Sequence, residues 1–100
     1  MKTLIATALL ALSTATYAAD ICPTLGELAR NTMSARQAGV PMSKIMGIAQ
    51  GNALAERIAR DAFQQPRFSS DEYQTKAEED FQAKWESLCY EATAKGGSSV

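Results

Sequence analysis

The sequence predicts a small all-α domain: a bundle of about four helices with a long C-terminal helix and one disulfide joining its N- and C-terminal regions. Three observations predict it. Apolar residues recur at three- and four-residue spacing through successive segments, the period of one face of a helix. Proline, glycine and small polar residues punctuate those segments where helices start and stop. The two cysteines, Cys22 and Cys89, stand toward opposite ends of the chain, behind a segment that reads as an export signal. No apolar-polar alternation occurs, so no strands are expected.

The export signal is read from order along the chain. Lys2 forms a short positive region, Leu4 to Leu12 an apolar run, and Thr16-Tyr17-Ala18 a small-x-small cleavage site. Cleavage after Ala18 divides the chain into a signal peptide (1–18), a helical domain (19–95) and a disordered tail (96–100). The apolar run falls short of the roughly 20 residues that span a bilayer. Ala19-Asp20-Ile21 before Cys22 is unlike a lipoprotein signal, so no stable membrane insertion is expected after cleavage. The expected location is periplasmic or secreted. In that oxidising setting Cys22 and Cys89 are expected to pair. A bridge closing so long a loop restricts the unfolded chain enough to stabilise the fold by about 4 kcal/mol. So small a domain buries too little surface to be comfortably stable without one.

Each helix has its own signals. Thr24-x-x-Glu27 after Pro23 reads as a capping box opening the first helix, and Leu25, Leu28, Ala29, Thr32, Met33 and Arg36 share one face. Gly39 supplies a left-handed stop, with Pro41 two residues on. A short second helix is expected from a Ser43 cap, with Ile45, Met46 and Ala49 on one side, ending at Gly51-Asn52. Asn52 can cap a third helix, whose stripe is Leu54, Ala55, Ile58, Ala59, Ala62 and Phe63 and whose end is set by Pro66. Ser69-x-x-Glu72 reads as a second capping box. It opens a long fourth helix with Tyr73, Ala77, Phe81, Trp85, Leu88, Cys89 and Ala92 on one face and a stop at Gly96-Gly97.

The chemistry such a chain can support is narrow. It has no histidine, the commonest general base and metal ligand. Consecutive Glu78, Glu79 and Asp80 fan around a helix and do not converge on one point. Met33, Met42 and Met46 read as core filler, so no catalytic residue, metal site or cofactor is expected. Charge is uneven. Residues 22–67 carry six basic and three acidic side chains, residues 68–95 three basic and seven acidic, so the halves are expected to attract on folding. Mild overall charge gives no reason to expect nucleic acid as a partner. Arg36 and Arg67 sit at helix corners, where a guanidinium can donate to free helix carbonyls or to carboxylates. Beside them Phe68, Tyr73 and Tyr90 are aromatic candidates for contacting a partner, since arginine and aromatic residues are favoured anchors at interfaces. Trp85 reads as core.

Several runs carry a resemblance. They are Gly26-Glu27-Leu28-Ala29, Ala35-Arg36-Gln37-Ala38-Gly39-Val40, Asp61-Ala62-Phe63 with Pro66-Arg67-Phe68-Ser69, and the closing Phe81, Trp85 and Cys89. Together they resemble a group of small exported proteins of unknown function encoded in phages, prophages and proteobacterial genomes. That group shows an Arg-Gln-x-Gly turn, an Ala-Tyr…Pro-Arg segment and a cysteine near each end. Phe63 departs from the pattern, standing where tyrosine is usual.

These readings point to a non-enzymatic protein-binding module of the bacterial envelope whose partner is an envelope protein, as an inhibitor, exclusion or immunity factor of phage type would be. The alternative is a periplasmic stress chaperone or structural factor. A homodimer is left open, because the long helix can have apolar surface to spare. Intact-mass measurement of the purified protein is expected to find a chain starting at Ala19 and lighter by two hydrogens than its fully reduced form. A chain retaining Met1 would contradict the export reading.

Overall fold

A computed structural model describes the backbone of residues 21–99 and the side chains as far as Ala94. The expected signal peptide and its cleavage site lie outside the described residues. The fold is all-α: α1 (21–37), α2 (Met42–Ile48), α3 (Ala53–Gln64) and α4 (Asp71–Ser99), with no strand among the described residues. Cys22 and Cys89 form the disulfide, with Cα atoms 5.5 Å apart. None of the described helices is long and apolar enough to cross a membrane.

Contacts fix how the helices run. Between α1 and α4, Cys22 meets Cys89, a Cβ on Gly26 would fall on the Glu86 side chain, and Arg30 donates to Gln82 Oε1 at 3.2 Å. Numbers rise along one helix as they fall along the other, so the pair is antiparallel. Between α1 and α3 the order is parallel: Leu25 and Leu54 line one groove near the disulfide, and Arg36 reaches Gln65 at the other end. Asp61 ties α3 to α4, accepting from Lys84 Nζ at 2.8 Å and from Trp85 Nε1 at 3.0 Å. The long helix is therefore a spine on which α1 and α3 lie side by side, each opposed to it in direction.

The core lies between these three helices. Ala29 and Met33 of α1, Ile58 and Ala62 of α3, and Phe81 and Trp85 of α4 are buried together, with Leu25 and Ala77 packed against them. Each helix contributes residues spaced by four, one row on its surface. The rows include three alanines, which let the helices approach closely but remove little apolar area from water. Helix α2 stands outside this core, buries Ile45, and packs on α3.

The expected boundaries hold in part. Gly39 has φ +89° and closes α1, Asn52 caps α3 by accepting from Ala55 N at 3.0 Å, and Gln65 before Pro66 is extended and ends α3. Five boundaries differ. Helix α1 is already helical at Ile21, so Thr24 lies inside it and the capping box does not open it. Cys22 and Gly26 are buried, which keeps this turn wound against α4. Helix α2 starts from Pro41, not Ser43. The ring holds φ at −68° and the Pro41 carbonyl accepts from Lys44 N and Ile45 N. It ends at Ile48, and Gly51, with φ +85°, shapes the turn that follows. Helix α4 takes Ser70 as its cap, Tyr73 N donating to Ser70 Oγ at 3.3 Å, one residue past the Ser69 expected. At its far end α4 runs to Ser99, past the stop expected at Gly96-Gly97. Glycine lowers helix propensity by about 1 kcal/mol per residue and forces no break.

One packing expectation also changes. Of the methionines only Met33 is core; Met42 is exposed and Met46 half-buried. Two ion pairs among the described residues join the two halves. Among the described residues Arg30–Glu78, at 4.0 Å, joins a base of the first half to an acid of the second. Lys84–Asp61 has the opposite sense, and Lys76–Asp80 lies within α4.

Opening the Cys22–Cys89 bridge is expected to lower the free energy of unfolding by about 4 kcal/mol, read as an earlier denaturant midpoint under reducing conditions. An unchanged midpoint would show that helix packing alone holds the fold.

Candidate functional site

The two sequence motifs singled out above, Arg36-Gln37-Ala38-Gly39 and Pro66-Arg67-Phe68, meet at the end of the bundle opposite the disulfide. Helix α1 closes there with a pair of reversed hydrogen bonds, Gly39 N to Arg36 O at 3.1 Å and Val40 N to Ala35 O at 3.0 Å. This closure satisfies two of the terminal carbonyls and leaves others free. The Gln37 carbonyl is one of those, and Arg67 Nε donates to it at 3.1 Å. A guanidinium at a helix C-terminus also suits the negative end of the helix dipole. Gly39 fits this turn through its backbone, and its missing side chain leaves room for the guanidinium. Its φ is left-handed, and a Cβ there would come within 2.8 Å of Arg67 Nη2.

The Gln37 side chain is the centre of the corner. It is only 2% exposed. Its Nε2 donates to Pro66 O at 2.9 Å and touches Met33 Sδ at 3.4 Å, and its Oε1 accepts from Phe68 N at 2.8 Å. One amide thus satisfies a donor and an acceptor of a connector that has no regular structure of its own. Gln74 adds a second hold, donating to Phe68 O at 2.7 Å.

Arg36 does the same for α3. Its Nη2 donates to Gln65 O at 3.2 Å, past the end of that helix, and its guanidinium lies 4.9 Å from the centroid of Phe63. Its Nε is buried with no hydrogen-bond partner. Phe63, where the resembling group has tyrosine, acts here through its ring face.

The five candidate partner-binding residues therefore separate. Arg36, half-buried, and Arg67, exposed, each donate to a backbone carbonyl of the chain. Phe68 and Tyr73 lie together, ring centroids 5.9 Å apart, with Phe68 half-buried and Tyr73 57% exposed. Tyr90 is exposed but stands 17 residues further along α4, roughly 25 Å away at the rise of an α-helix. It belongs to the disulfide end and not to the corner.

Sequence reasoning missed two features. Gln37 was read only as part of a turn, because a glutamine gives no sign of burial unless its partners are known. A groove at the disulfide end, lined by Ile21, Leu25, Leu54, Leu88 and Ala92 among others, draws on three helices and has no linear signature. Among the described residues no group of His, Cys, Asp or Glu is placed to hold a metal ion. Comparison with protein-family models, curated proteins and solved structures finds no match.

Replacing Gln37 with methionine keeps its volume but orphans the Phe68 N–H and the Pro66 carbonyl. It is expected to cost about 2–4 kcal/mol of stability. Arg67→Ala, which removes a single hydrogen bond made by an exposed side chain, is expected to cost about 1 kcal/mol. Urea denaturation of both variants checks the order. A larger loss for Arg67→Ala would place the weight of the corner on the guanidinium.

Proposed function

We propose that the protein is an exported, non-enzymatic binding module of the bacterial envelope whose partner is another envelope protein, acting as an inhibitor, exclusion or immunity factor of phage type. The observation that carries this reading is the Phe68–Tyr73 pair, aromatic surface presented on a corner whose backbone is already fixed from beneath by Gln37, Arg67 and Gln74. Tyrosine is favoured at the energetic centre of protein interfaces, and a surface ordered before binding loses little conformational entropy on binding. The disulfide supports export, since such bonds persist in oxidising compartments. A chain without histidine lacks the commonest general base for acid-base catalysis.

The test uses the oxidised protein as bait against envelope extracts from infected and uninfected cells, followed by titration of any partner recovered. Tyr73→Ala is expected to weaken binding at least tenfold while leaving helicity and denaturant midpoint in place, because Tyr73 is exposed. Tyr90→Ala is expected to have no effect on that partner. A partner indifferent to both Tyr73→Ala and Phe68→Ala would contradict the proposed surface.

A further inference from the structure

The disulfide end carries a second surface of different chemistry. Ile21 and Leu25 of α1, Leu54 of α3, and Leu88, Cys89 and Ala92 of α4 form an apolar groove of about 450 Å³. Three of its large side chains, Ile21, Leu54 and Leu88, are between 42% and 45% exposed. The cystine fixes two of its walls relative to each other.

A cationic recess of about 380 Å³ adjoins it between α3 and α4, where Arg57, Arg60 and Lys84 converge. The two spaces share Arg57, Trp85 and Leu88 as a common wall. Asp61, the acid of the recess, is occupied by Lys84 and the Trp85 indole. Arg57 and Arg60 are exposed and form no ion pair among the described residues. An apolar groove thus opens at one end onto unneutralised positive charge.

We propose that this groove binds a single-chain anionic amphiphile, its alkyl chain along Leu25, Leu54 and Leu88 and its carboxylate or phosphate at Arg57 and Arg60. The charge selects an anion, and arginine pairs with carboxylates and phosphates through two parallel hydrogen bonds. An alkyl chain with a small head matches the usual range of small-ligand sites, roughly 300–1,000 Å³. The other apolar recess, between α1 and the α2–α3 turn, has no charged residue in its lining, and nothing identifies an occupant for it.

Trp85 is the sole tryptophan and lies in the wall common to both spaces, so its fluorescence reads the site directly. The experiment titrates the oxidised protein with dodecanoate, octanoate, dodecanol and dodecyltrimethylammonium, all below their micelle concentrations, with far-UV circular dichroism recorded alongside. Dodecanoate is expected to give a saturable 1:1 change with helicity preserved. It is expected to bind at least tenfold more tightly than octanoate, since each buried methylene contributes a factor of about four. Dodecanol is expected to bind more weakly and the cationic chain weakest of all. Arg57→Ala/Arg60→Ala is expected to weaken dodecanoate at least tenfold and to bring it level with dodecanol; Leu54→Asp is expected to weaken both. Dodecyl phosphate in place of dodecanoate distinguishes a phosphate from a carboxylate head. No saturable change, equal binding of anionic and cationic chains, or indifference to the arginine pair would each overturn the proposal. Because the groove lies away from Tyr73, none of these outcomes bears on the protein-binding surface.

Discussion

Almost everything at one end of this molecule depends on the burial of a single amide. Gln37 occupies the last turn of α1, and its side chain supplies the hydrogen bonds that residues 66 and 68 cannot find in a helix or a sheet. An irregular connector has no ladder to satisfy its polar backbone groups, and one left unpaired where it is shielded from water costs about 1–3 kcal/mol. Gln37 removes that cost and also sets where α4 begins. The connector is held until Phe68, so Ser70 is positioned to cap the helix. From there α4 runs back along α1 to bring Cys89 to Cys22. The covalent bond at one end and the amide at the other act on the same three helices.

The need for two such fixtures follows from the core. It is a narrow seam of four-spaced residues, three of them alanine, with Met33, Ile58, Phe81 and Trp85 supplying most of the bulk. Alanines permit close approach, and at Gly26 even a Cβ would meet Glu86. Close helices with short side chains bury little apolar surface, so hydrophobic stabilisation is limited. Polar contacts then carry much of the specificity. Asp61 holds the Trp85 indole in place, and Arg30 bridges to Gln82 and Glu78 on the spine. Both arginines at the corner donate to carbonyls at helix ends, and Arg67 remains exposed while it does so.

The helical class, the number of helices and the cystine were legible in the sequence because each rests on local rules: periodicity, a glycine in a left-handed turn, a residue extended before proline, and paired cysteines. The true helix starts were less so. Thr24 and Ser69 have the composition of caps, yet α1 is wound past the first by its packing on α4, and the second is passed over for Ser70 because the connector is tied down before it. Two candidate sets also look alike in sequence and differ in space. Phe68, Tyr73 and Tyr90 were read together, but one turn separates the first two and the length of a helix separates the third. Ile21, Leu54 and Leu88 were assigned to helix faces one at a time, and only the fold shows that they border one groove. Long-range convergence of this kind leaves no mark on any single segment.

The most direct measurement of the account is amide hydrogen exchange at Phe68. Its N–H lies in a segment without regular structure, yet it donates to an amide oxygen in the core. If Gln37 organises the corner, the Phe68 amide exchanges nearly as slowly as the core of α3 and α4, while that of neighbouring Ser69 exchanges quickly, and Gln37→Met removes the difference. Rapid exchange at Phe68 in the unaltered protein would contradict the account, leaving the disulfide and the apolar seam as the only fixtures of the fold.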